Sequence, residues 1–165
     1  MSDLNFFREQ ADSVIEFWGD DSTEALSDAE DYMMMHRALA DAHVHFSHVG
    51  YGATFKHRRK EQWAFILPDV SHPGFIRYQS FDRDSFCGHA SYVSDVDVLI
   101  EMIRHGYTIP VDKNTLIDIS KTERWRIGSL KLLLLTDLNA GKITHGEYLE
   151  KIKTDSLTLE VKHVA

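Results

Sequence analysis

Hydrophobic residues spaced three or four apart predict two helices in the first fifty residues. Asp3 is a favoured N-cap for the first helix. Ser27 and Glu30 form a capping box for the second, which is predicted to end near His48. The apolar stripe of each helix marks the face that packs inward: Leu4, Phe7, Ala11, Val14 and Trp18 in the first, and Tyr32, Met35, Leu39, Ala42 and Phe46 in the second. Residues 1–50 are therefore predicted to form a helical hairpin.

The hydrophobic period changes to two in the middle of the chain, over residues 51–93. Four short runs there are rich in aromatic and β-branched residues and are separated by turn-forming residues: 53–57, 63–67, 75–81 and 86–92. The last two are joined by a four-residue loop, a common length between antiparallel neighbours. We expect an antiparallel sheet of three or four strands.

Residues 94–165 are predicted to be mainly helical. Three helices are expected, capped at Ser94, Ser120 and Thr144, and the second has a leucine-rich stripe broad enough for the central core helix. The stretch 107–119 is predicted to be irregular or to contain one short strand. Alternation over 157–164 is compatible with a C-terminal edge strand. The order of elements predicts an α+β fold, and we expect residues 1–165 to form a single globular domain.

The composition favours a globular protein over a membrane-spanning or secreted one. With 165 residues, of which 43% are hydrophobic, the chain can bury a substantial core. No apolar run approaches the ~20 residues that cross a bilayer, and the first residues lack the basic segment of a secretory signal. The single cysteine, Cys87, has no internal disulfide partner. We expect a cytoplasmic protein without membrane association.

The negative charge of the chain is concentrated at its beginning. Residues 1–45 contain eleven carboxylates and two cations, whereas the whole chain has a formal net charge of −8. Charge placed on ordered helices favours a non-enzymatic protein that engages a basic surface of a protein partner. One form of this hypothesis is mimicry of nucleic acid, which would inhibit a nucleic-acid-handling complex of the host-defence type. The expected partner-binding residues are Glu16, Asp20, Asp21, Glu24, Asp28 and Asp31.

Two alternatives from other classes remain open. A small enzyme or ligand-binding domain would place its site on the sheet, around Cys87, His89, Tyr78 and His105. A nucleophile, a base and an oxyanion donor cannot all be named there, so no catalytic residue is assigned. An accessory subunit would oligomerise through the stripe of the second helix, and the sequence leaves the oligomeric state open.

Histidines and basic residues give weaker signals. Asp41, His45 and His48 share one face of the second helix, but a zinc site normally needs four donors and no second motif supplies the rest. We predict no metal and no cofactor. The basic run 56–60 lies beside aromatic strands, as in proteins that bind single-stranded nucleic acid. The acidic charge of the whole chain disfavours direct nucleic-acid binding, and a solvated connector that pairs with the acidic hairpin is the preferred interpretation.

Overall fold

The computed structural model describes the backbone of residues 3–162 and the side chains of residues 3–154. It confirms an α+β chain with two N-terminal helices, an open five-stranded antiparallel sheet and further helices. The chain divides into two compact units. Unit 1 comprises residues 1–81 and 87–115, and unit 2 comprises residues 82–86 and 116–165.

Unit 1 contains three helices: α1 (Phe6–Trp18), α2 (Thr23–Val49) and α3 (Asp95–Arg104). Helix α2 begins four residues before the predicted capping box, because the hydroxyl of Ser22 accepts a hydrogen bond from the N–H of Ala25 at 3.3 Å. Ser22 follows the turn at Gly19, whose φ of 84° ends α1. The predicted cap at Ser27 is therefore wrong, and the long helix is otherwise as expected.

The sheet of unit 1 has the strand order β4-β3-β2-β1-β5. Its strands are β1 (Thr54–His57), β2 (Trp63–Pro68), β3 (Ile76–Phe81), β4 (Phe86–Tyr92) and β5 (Tyr107–Val111). Strand β5 pairs antiparallel with β1, opposite β2. The sheet thus has one strand more than predicted. Strand β5 pairs with a strand some fifty residues earlier in the chain, and a local sequence pattern does not show such a pairing.

The core of unit 1 lies between its helices and one face of the sheet. Phe7, Leu39, Phe55, Ile66 and Leu99 are almost completely buried there. The remaining members of the predicted α2 stripe pack against the same core: Tyr32, Met35, Ala42 and Phe46. Much of this stripe is therefore used for packing within the chain.

Unit 2 contains α4 (Thr115–Ser120), α5 (Glu123–Asn139) and α6 (His145–Lys162). The turn 82–86 packs closely on α5. Arg124 donates two hydrogen bonds to the carboxylate of Asp84, at 2.6 and 2.8 Å, which lowers the pKa of Asp84. A Cβ on Gly128 would lie 2.0 Å from the Asp84 carbonyl oxygen, so this helix position requires glycine.

Three predictions for unit 2 are wrong. The N-cap of α5 is Thr122, whose hydroxyl accepts a hydrogen bond from the N–H of Trp125 at 3.2 Å, and not Ser120, which ends α4. Helix α5 is not a central core helix: only Trp125 and Leu134 of α5 are buried, whereas Leu133 is 58% exposed and two further leucines are also exposed. The turn 82–86 and α6 cover only one side of α5. The leucine stripe of α5 is wider than this covered side, so some of its leucines are exposed.

The predicted C-terminal edge strand is replaced by the end of α6, which continues through Lys162. Alternation over a few residues does not distinguish a strand from the last turns of a helix. A helix already started by the capping box of Thr144 and Glu147 extends through this segment. Residues 163 and 164, the end of the predicted strand, lie outside the described residues.

Candidate functional site

The end of the α1–α2 hairpin carries the predicted partner-binding residues. We call residues 15–34 the hairpin tip. Helix α1 ends where the N–H of Gly19 donates to the carbonyl of Ile15 at 2.9 Å, and α2 starts after the short turn 19–22. Helix α1 packs on α2. The tip is therefore an ordered platform, as the sequence predicted.

All six predicted carboxylates of the tip are exposed, and within residues 3–154 none of them forms an ion pair. Glu24, Asp28 and Asp31 follow one another at i, i+4 and i+7 and share one face of α2. The others come from the last turn of α1 and from the loop: Glu16, Asp20 and Asp21. The structure thus collects all six at one end of the hairpin, with three on a single helix face.

Two aromatic side chains lie exposed beside these carboxylates. Phe17 is 78% exposed and Trp18 is 66% exposed, and their rings meet edge to face at 5.0 Å. The sequence assigned Trp18 to the buried stripe of α1, which is wrong: Trp18 is the last residue of α1, at the end of the hairpin, and its side chain is exposed. Trp18, Glu24 and Asp28 line a cavity of about 160 Å³. Large exposed aromatics beside charges are typical of protein interfaces.

An apolar groove follows the opposite side of α2. It has a volume of about 530 Å³ and is lined mainly by Ile15, Leu26, Met33 and Met34. Leu26 lies two residues after Glu24, which is about 200° around the helix. The tip therefore has an acidic side and a methionine-rich side on α2.

The alternative site on the sheet is partly assembled. Tyr78, His89 and His105 line one groove of about 330 Å³ in unit 1, at the end of the sheet marked by His57. Cys87 does not line it. The structure therefore separates the cysteine from the predicted tyrosine and histidines.

The Tyr78 hydroxyl and Nδ1 of His105 are 2.8 Å apart. Burial, reinforced by neighbouring tyrosines, raises the pKa of Tyr78 to about 12, so the phenol keeps its proton near neutral pH. A phenol is a good donor, and we assign the proton in this contact to Tyr78. The imidazole of His105 then carries its own proton on Nε2.

His57 organises the basic loop at the same groove. Its Nδ1 accepts hydrogen bonds from the N–H groups of Arg59 and Lys60, at 3.0 and 3.1 Å. Burial, with smaller contributions from Lys60 and the two arginines, lowers the pKa of His57, which favours the neutral ring that this acceptor role needs. Sequence reasoning missed this role because no local pattern marks it.

The structure does not connect the basic loop to the acidic tip. Among the described side chains, residues 56–60 form no ion pair with the six carboxylates. The aromatic residues near the loop are also buried, including Trp63, Tyr78 and Tyr107. Buried rings cannot act as a stacking platform for single-stranded nucleic acid.

Asp69 is a buried carboxylate that the sequence marked only as part of a turn. Its side chain is fully buried and accepts hydrogen bonds from the Ser91 hydroxyl, the Ser71 N–H and Arg77 Nη2, among others. These partners, Ser91 first, hold the pKa of Asp69 well below its usual range although burial opposes this. Asp69 therefore ties the β2–β3 loop to β4 and has a structural role.

Of Asp41, His45 and His48, which share one helix face, only His45 packs inward, and the other two are exposed. His45 meets the ring of Phe55 edge to face at 5.2 Å, and burial, with a contribution from His48, lowers the pKa of His45. The ring N–H of His48 is placed to donate to the Val44 carbonyl at 2.8 Å. Among the described residues, no three His, Cys, Asp or Glu side chains are grouped so as to hold a metal ion.

Comparisons with family models, with curated proteins and with solved structures find no match to this chain. In the part of the chain that the structure describes, no helix combines the length and the apolar character needed to cross a membrane.

Proposed function

We propose that this protein is a non-enzymatic binding protein that docks on a basic surface of a protein partner through its hairpin tip. The observation that carries the proposal is the set of six exposed carboxylates, none of them ion-paired within residues 3–154, on an ordered helix end. Phe17 and Trp18 add apolar contact area at the same place.

The charge distribution supports a role in association. Carboxylates that lie close together without cations repel one another and do not stabilise the fold. The same field attracts a basic partner over a distance of about 10 Å at 0.1 M salt, and the aromatic side chains supply area that becomes buried on contact. We therefore expect charge to set the rate of association and the aromatic residues to set its lifetime.

Nucleic-acid mimicry is the specific form of this proposal. The rise between Glu24, Asp28 and Asp31 along α2 is about 6 Å and then about 4.5 Å, calculated from the helix rise per residue. Phosphates of one DNA strand advance by about 3.4 Å, so these carboxylates form a sparser row of the same sign. The partner would be a nucleic-acid-handling complex of the host-defence type, and the tip would occupy its phosphate-binding groove.

Affinity capture with two charge-matched variants tests the proposal. The first variant, Asp28→Asn with Asp31→Asn, removes two tip carboxylates, and the second, Glu9→Gln with Asp41→Asn, removes two exposed carboxylates that lie outside residues 15–34. We expect the native protein and the control to retain a basic nucleic-acid-handling protein at low salt and to release it at high salt. The tip variant should retain much less.

Equal recovery by the tip variant and the control would refute a dedicated acidic surface. Competition completes the test: added duplex DNA should displace the captured partner if the tip occupies a phosphate-binding groove. If added DNA does not displace the captured partner, nucleic-acid mimicry is refuted. Docking on a basic protein surface would then be the remaining form of the proposal.

A further inference from the structure

The groove on the sheet lies apart from the hairpin tip within unit 1, and nothing in the proposed docking function uses it. It is lined by residues of β1, β3, β4 and β5, by Lys60 and Gln62 of the β1–β2 loop, and by His105, which follows α3. A volume of about 330 Å³ is at the lower end of the range of small-molecule sites.

The charge of the groove differs from that of the rest of the molecule. Lys60 is on its lip, and among the described residues no carboxylate lines it. The other cleft of similar volume in unit 1, about 350 Å³, is lined by Asp3, Glu9, Asp97 and Glu101 with a single arginine. Glu61 follows Lys60 in the chain and Glu101 contributes to the raised pKa of Tyr78, but neither lines the groove. A lysine in a groove that no described carboxylate lines, in a protein of net charge −8, favours an anionic ligand.

Hydrogen-bond donors line the groove on several sides. With the proton of the Tyr78 contact assigned to the phenol, the His105 proton lies on Nε2, and Gln62 and His89 also line the groove. Lys60 is held at the lip because its backbone N–H is bound by His57. Several donors around one lysine suit a ligand with several acceptor oxygens.

We propose that this groove binds the phosphate group of a small molecule, with Lys60 and His105 as its main donors. Lys60 supplies the charge. His105 supplies an N–H whose position is set by Tyr78, so Tyr78 is a positioning residue. The ring of His57 sets the conformation of the loop and does not itself contact the ligand.

Titration with inorganic phosphate and with phenyl phosphate, followed by NMR of the histidine ring protons, tests this proposal. We expect saturable shifts of His105 and His89 in the native protein. Lys60→Gln should weaken binding about tenfold, since a hydrogen bond to a charged group contributes on the order of 1.5 kcal/mol. Lys56→Gln is the matched control: it removes the same charge from β1, at a residue that does not line the groove.

Two further measurements make the outcome decisive. His105→Gln should weaken binding more than Lys56→Gln does, and circular dichroism establishes that each variant is folded. Tighter binding of phenyl phosphate than of inorganic phosphate identifies a phosphate ester as the ligand, and equal binding identifies the free anion. Shifts that do not saturate, or equal binding by the Lys60 and Lys56 variants, would overturn the proposal.

Discussion

The hairpin tip and the sheet groove present polar groups in opposite ways. At the tip, Asp28 and Asp31 are exposed and make no ion pair within the described chain, so no ion pair fixes the conformation of their side chains. At the groove, the Tyr78 hydroxyl contacts His105, and His57 binds two backbone N–H groups. Charges at the tip can therefore change at little cost to folding, whereas the polar groups at the groove are part of the structure.

The largest effect is expected where the groove depends on a glycine. Gly106 has a φ of 87°, and a Cβ there would lie 2.7 Å from Nε2 of His57. Gly106→Ala should lower the free energy of unfolding by about 3 kcal/mol, from backbone strain together with displacement of the ring. Urea denaturation measures this.

Gly74→Ala is the control for that measurement. Gly74 has a similar φ of 89°, but its Cβ would meet no atom within 4 Å. We expect it to cost only the strain of the left-handed conformation, about 1 kcal/mol. Equal losses for the two variants would show that contact with His57 contributes nothing.

A smaller effect is expected from pH. The pKa of His57 is lowered on folding, so the unfolded chain binds more protons below about pH 6.5 and stability falls as the pH decreases through that range. His57→Asn keeps an acceptor near the position of Nδ1 and does not titrate. It should reduce the loss of stability between about pH 6.5 and pH 5, measured by urea denaturation at each pH.

Part of this pH dependence should persist in the His57 variant, because burial also lowers the pKa of His45. A profile for His57→Asn that coincides with the native one would remove His57 as the titrating group.

The smallest effect on stability is expected at the tip. Asp28→Asn with Asp31→Asn should change the free energy of unfolding by no more than about 0.5 kcal/mol, because both side chains are exposed and form no ion pair within the described residues. Thermal melting at low salt measures this. A loss of several degrees would mean that these carboxylates stabilise the hairpin, and the contrast between tip and groove would fail.

Much of the fold was predictable because its signals are local. The 3.6-residue period of α2 and the two-residue period of the first four strands are visible in short windows. Helix ends were less certain where several capping residues compete, as Ser22 and Ser27 do. The exposure of Trp18 and Leu133 was missed because a pattern states that a residue is apolar and not whether a neighbour covers it.

The candidate sites divide in the same way. The six tip carboxylates were chosen because acidic residues are concentrated near the start of the sequence. In the structure, all six side chains are exposed. The groove was only partly foreseen: Tyr78, His89 and His105 were named, while Lys60 and His57 were assigned to a solvated connector. Nothing local shows that His57 accepts hydrogen bonds from the loop that follows it.

The sequence by itself determined the fold class, the helical hairpin and the placement of negative charge at one end of the chain. Hydrophobic periodicity and charge are visible in short stretches of sequence. They can therefore be recognised without knowing which distant segments contact one another. Only the tertiary structure decided that β5 pairs with β1, that Asp69 is buried among donors and that His57, Tyr78 and His105 meet in one groove. Each of these depends on residues far apart in the chain, whose approach is set by packing of the whole core.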